Sequence, residues 1–122
     1  MYKIELDRSK SLLKISFAQH VGPEETSRGE AEIKGLLADQ PPGFRLLADL
    51  SALESMDVAC VGDIRRIMDL LNKKGIEMVV RVIPDPRKDI GLNILSHFHY
   101  RRGVRIITCE TLEEAMKALA GG

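Results

Sequence analysis

With 122 residues, the chain is long enough for one domain with a real hydrophobic core and too short for two, so residues 1–122 are read as a single domain. Lysine plus arginine and aspartate plus glutamate each number 18, and the resulting formal net charge of zero gives no global field to attract nucleic acid or an anionic membrane. Cys60 and Cys109 fit no metal or redox spacing and read as free thiols in a reducing compartment. No apolar run is long enough to span a bilayer and Met1–Glu5 carries no signal-peptide core, so the expected location is cytoplasmic.

Tyr2, Ile4 and Leu6 alternate with Lys3, Glu5 and Asp7, and Leu13, Ile15 and Phe17 alternate with Lys14 and Ser16. This is the period of half-buried strands, and Arg8–Ser11 between them suits a hairpin. Pro23 begins a helix expected to reach about Asp39, with Glu24 and Glu25 near its positive end, before Pro41-Pro42-Gly43 stops it. A third strand, Arg45 to Leu50, leads through a short loop to a helix from about Val58 to Lys74, closed by Gly75. Val61, Ile64, Met68 and Leu71 form its apolar stripe, while charge pairs such as Asp63 with Arg66 suit a wet face. A fourth strand, Met78 to Ile83, stops at Pro84-Asp85-Pro86. A helix from about Lys88 to His99, a fifth strand from Val104 to Cys109 and a helix starting at Thr111 follow, with Thr111 and Glu114 in a capping-box pattern.

The order ββαβαβαβα predicts an α/β fold with a mixed five-stranded sheet, mostly parallel, its first strand antiparallel to the rest. Strands buried on both faces should be apolar throughout, yet the inner segments are mixed. Arg45 and Asp49 share one side of the third strand, and Arg81 and Arg105 each sit opposite a largely apolar set. The pattern predicts helices mainly on one face and a partly wet second face.

Leu46-Leu47-Ala48-Asp49-Leu50-Ser51 and the following Ala52–Asp57 resemble the segment of STAS domains in which a strand ends in Asp-Leu-Ser and a short loop reaches an Asp-Ser-Ser-Gly-Leu helix start. Lys73-Lys74-Gly75, the Pro84 loop, Gly103 and Thr111–Ala115 continue the resemblance over nearly the whole chain. The resemblance to this family, of the anti-sigma-factor-antagonist type, implies a β-α superhelix with helices largely on one side of the sheet. It matches Asp49 to the aspartate closing the third strand and Asp57 to the aspartate before the phosphorylated serine. The next positions, Val58-Ala59-Cys60-Val61, depart from Ser-Ser-Gly-Leu, so position 58 has no hydroxyl to take phosphate. Ser55, three residues earlier, reads either as a displaced acceptor or as a cap.

The resemblance implies a non-catalytic regulatory module that binds a protein partner, a kinase-like anti-sigma factor or a signalling protein, through Ser55, Asp57, Val58, Ala59 and Cys60 and without a serine phosphoswitch. A different class is a sensor or carrier of a small hydrophobic ligand, held in a pocket bounded by the second and third helices. Its motive is the apolar run Ile90–Phe98, which is more simply explained as a buried helix or a homodimer contact. A homodimer could also use the hairpin's sheet edge. Cys60, in a first helical turn, reads as a packed small residue or as an activated thiol. His97 and His99 point to different helix faces and His20 is far off in sequence, so no metal or cofactor is expected. Tyr100-Arg101-Arg102 with Arg105 reads as a helix end rather than a nucleic-acid patch, and Asp85 with Asp89 lacks the company that acid–base catalysis needs. No enzymatic activity is expected.

Overall fold

The computed structural model describes residues 1–83 and 103–121. The expected helix over 88–99 lies outside the described residues, together with Asp85, Asp89, Ile90–Phe98, His97, His99 and Tyr100-Arg101-Arg102. Five strands, β1 (Tyr2–Asp7), β2 (Leu12–Val21), β3 (Arg45–Met56), β4 (Met78–Val82) and β5 (Arg105–Cys109), lie in the order β1-β2-β3-β4-β5. β1 runs antiparallel to β2 and every other neighbouring pair is parallel, as the element order requires. The described helices are α1 (Pro23–Leu36), α2 (Val61–Lys74) and α3 (Leu112–Gly121).

Local chemistry explains most boundaries. The β1–β2 turn is closed by Asp7, whose Oδ1 accepts from Ser9 Oγ at 2.7 Å and from the Lys10 amide at 3.2 Å. Pro23 opens α1, and Glu25 Oε1 accepts from the Gly22 amide at 3.3 Å. α1 ends at Leu36, about a turn short of the expected Asp39. α2 stops at Gly75, where φ is +91° and an added Cβ would lie 2.7 Å from Pro42 Cβ, so glycine is demanded both by conformation and by space. Thr111 Oγ1 accepts from the Glu114 amide at 3.1 Å and caps α3.

Two strands run further than their patterning suggests. β2 continues to Val21 and β3 to Met56, so the stretch expected to be a loop between Leu50 and the next helix is mostly strand. Its polar residues hide the period of two, but its backbone groups are satisfied by the end of β2, with Ala18 beside Ala52 and Val21 beside Met56. Register shifts at Ser16/Ala18 and Gln19/His20 accommodate the pairing, and Gln19 takes a φ of +59° there.

The sheet is covered unequally. On one face, Leu13, Ile15 and Phe17 of β2, Leu46, Ala48 and Leu50 of β3 and Val79 of β4 pack under Ile33 of α1 and Ile64, Met68 and Leu71 of α2. On the other, Leu12, Leu47, Met78, Val80, Val82 and Cys109 pack under Ala115 and Leu119 of α3. Each fully buried Leu, Ile or Val contributes about 1.5–3 kcal/mol, so the α1/α2 face carries the larger share of the hydrophobic stabilisation. Arg45 and Asp49 lie on the α3 face, on the same side as Met78, Val80 and Val82, whereas Arg81 shares the opposite side with Val79 and donates to Thr108 Oγ1 at 3.0 Å. The mixed polarity thus belongs to both faces. Arg45 holds the structure together locally, donating to the Leu119 carbonyl at 2.8 Å and to the Lys10 carbonyl at 3.2 Å, which places a cation at the negative end of α3.

Asp63, expected on the wet side of α2, is buried. Thr26 Oγ1 of α1 donates to its Oδ2 at 2.7 Å, and Arg66, which also bonds Glu30 at 2.9 Å, pairs with its other oxygen. A carboxylate so supplied with donors can sit between two helices without an unpaired charge.

Candidate functional site

The residues singled out in the sequence divide between two places. Ser55, Asp57, Val58 and Ala59 gather on an exposed rim where β3 passes into α2. Asp57 has extended backbone, and its Oδ1 accepts from the Ala59 amide at 2.8 Å, capping a 3-10 turn over Val58–Cys60 that feeds directly into α2. The Asp57 amide donates to the Val21 carbonyl at 2.9 Å, which ties the rim to the end of β2. Val58 therefore projects from a fixed turn, and at 79% it is the most exposed of the large hydrophobic side chains among the described residues.

Cys60 lies beneath this rim rather than on it. It is fully buried, with Sγ 3.7 Å from the Val21 carbonyl oxygen, and burial pushes its thiol pKa up. This is the reverse of what an activated thiol at a helix N-terminus needs. Cys109 is likewise free and buried, and burial raises its pKa too.

Asp49 stands apart from the rim, about 20 Å back along β3 at strand rise. Its Oδ1 accepts from the Ser51 amide at 3.0 Å and from Ser51 Oγ at 2.6 Å, shaping the chain as it leaves the central ladder. It also borders a groove of about 340 Å³ on the α3 face, between Lys3, Glu5 and Lys14 of the hairpin and Leu112 and Met116 of α3.

His20, which carries no functional signal in the sequence, belongs to the rim. The β2–β3 register sets it beside Ser55, and its Nδ1 is 2.7 Å from Ser55 Oγ on the exposed side. Neither residue signals the other in sequence, because the pair arises from a cross-strand register displaced by the irregularity at Gln19/His20. Among the described residues no group of three His, Cys, Asp or Glu side chains is placed to hold a metal, and no helix is long and apolar enough to cross a membrane.

This geometry has counterparts among solved structures. An uncharacterized protein of the DUF3478 family with a SpoIIAA-like fold, from Shewanella loihica PV-4, aligns over 97% of this chain and 93% of its own with a TM-score of 0.72 at 15% identity. The anti-sigma factor antagonist SpoIIAA in its unphosphorylated form aligns over 100% of both chains with a TM-score of 0.64 at 15% identity. An anti-sigma factor antagonist from Mycobacterium paratuberculosis aligns over 98% of this chain and 95% of its own, with a TM-score of 0.59 at 22% identity. No protein-family model matches the sequence. No curated protein matches it either. The fold is thus that of the anti-sigma factor antagonists, the STAS-like, SpoIIAA-like α/β fold.

Proposed function

We propose that the chain is a regulatory protein-binding module of the cytoplasm, without catalytic activity, whose partner surface is the rim formed by Ser55, Asp57, Val58 and Ala59, with Cys60 packed below. The observation that carries this reading is Val58, a branched aliphatic side chain 79% exposed on a turn held rigid by Asp57. Covering it with a partner removes apolar surface from water, and a rigid rim loses little freedom on binding. The fold shared with anti-sigma factor antagonists points to a kinase-like anti-sigma factor or a related signalling protein as the partner class. Valine has no hydroxyl, so association here is set by concentration and affinity rather than by phosphate at position 58.

The pocket of the small-ligand reading would be bounded by the expected helix over 88–99, which lies outside the described residues. The apolar space under α2, lined by Ile15, Phe17, Leu50, Ile64, Ile67 and Leu71 among others, is about 20 Å³, room for about one water. Affinity purification from the native cell distinguishes the two readings. Wild-type protein is expected to retain a protein partner, while Asp57→Arg and Val58→Glu, both at exposed positions, reduce its recovery by about tenfold or more. Equal recovery with both variants would remove the rim from consideration, and a copurifying apolar small molecule with no protein would replace the reading.

A further inference from the structure

The outer edge of β1 is unpaired among the described residues and carries a charge order that is complementary to itself. Met1 and Ala18 exchange backbone hydrogen bonds, the Ala18 amide reaching the Met1 carbonyl at 2.8 Å and the Met1 ammonium reaching the Ala18 carbonyl at 3.2 Å. In an antiparallel ladder this fixes the alternation: Lys3, Glu5 and Asp7 turn their backbone groups to β2, while Tyr2, Ile4 and Leu6 turn theirs to the open edge. Those three residues are also only half-buried, their side chains lying on the α1 side of the sheet. On the other side, Lys3 and Glu5 are exposed and already pair with each other at 2.8 Å within the strand.

We propose that a second copy of this chain docks on this edge, β1 against β1 and antiparallel, about a two-fold axis through Ile4. In that register Ile4 exchanges both backbone bonds with Ile4 of the second copy, and Tyr2 does so with Leu6. The edge groups are then all satisfied. Lys3 falls opposite Glu5 of the second copy, and Glu5 opposite Lys3, at the positions where facing side chains come closest. Moving the axis to Leu6 would set Glu5 against Asp7 of the copy. Moving it to Lys3 or Glu5 would keep the edge groups paired but set Lys3 against Lys3, or Glu5 against Glu5, at the close positions. Proteins commonly guard edge strands with charges of one sign that repel a copy; β1 carries opposite charges at the spacing that attracts one. The resulting pair is isologous and closes on itself, leaving a single ten-stranded sheet instead of an open fibre.

Sedimentation velocity of the full chain over a wide concentration range tests this. The wild type is expected to dimerise. Lys3→Glu and Glu5→Lys should each weaken the dimer by about tenfold or more, because each puts like charges across both halves of the join. An equimolar mixture of the two variants should recover wild-type affinity. Between unlike chains, the glutamate introduced at position 3 of one variant faces the lysine introduced at position 5 of the other, and the two unaltered residues face each other with opposite charge. A wild type that stays monomeric, a dimer indifferent to both substitutions, or a mixture that fails to associate would each overturn the proposal. So would an Ile4 amide that becomes protected from exchange only when an extended partner peptide is added, which would assign the edge to that peptide.

Discussion

Under α1 and α2 the sheet is filled from β2 to β4 by aliphatic side chains with two helices over them, and the polar groups between those helices bond one another through Thr26, Asp63, Arg66 and Glu30. Under α3 a smaller set is covered by Ala115 and Leu119, and beyond it the face gives way to Lys3, Glu5, Lys14 and Asp49 around an open groove. The same strands supply both faces, since alternate residues point to opposite sides. The difference teaches that one face stabilises the domain while the other is only partly committed to doing so. Leu112 and Met116 of α3 accordingly remain 44% and 41% exposed.

The widest separation between the faces is expected from truncating one leucine on each. Leu71→Ala, at a position with no exposure under α2, should cost about 3–5 kcal/mol in chemical denaturation. Leu119→Ala, at the rim of the α3 cluster where neighbours can relax, should cost about 2 kcal/mol. Equal losses would break the comparison. A middle-sized effect is expected at Gly75→Ala, about 1–3 kcal/mol, because the new methyl meets Pro42 at a left-handed backbone position. A change below about 0.5 kcal/mol there would mean that the end of α2 yields easily, and with it the better-packed face.

The smallest effect concerns pH. The Met1 ammonium, 2.6 Å from Glu25 Oε2, holds the Glu25 pKa below its usual 4.5. A carboxylate whose folded pKa is lowered contributes stability that is fully present above the unfolded value and lost as pH falls through the folded one. Acid titration of stability below about pH 4.5 should therefore be shallower after N-terminal acetylation, by a few tenths of a kcal/mol at most. An unchanged titration would show that the pair adds nothing to the anchoring of α1.

Much of this architecture is legible in the residues. The stripe through Ile64, Met68 and Leu71, the glycine at position 75, the Thr111–Glu114 cap and the alternation of β1 each carry a local physical signal, and the element order supplies the parallel sheet. The unequal covering of the two faces follows from the mixed strands, but alternation alone does not say which set lies under which helix, so Arg45 and Arg81 fall on opposite sides. The extension of β2 and β3 stays hidden because Ser51, Ala52, Glu54 and Ser55 show no period of two; backbone pairing, not side-chain burial, makes them a strand. For the same reason the rim is legible only in part. Asp57 and Val58 announce a helix start, whereas His20 reaches Ser55 across 35 residues through a register that no local pattern encodes.

Arg45 joins parts of the chain that lie far apart in sequence. One of its hydrogen bonds closes a span of 35 residues to the hairpin and the other a span of 74 residues to α3. Closure entropy grows only slowly with span, by about 0.6 kcal/mol per doubling, so one side chain ties the last described helix to the opening hairpin at little extra cost.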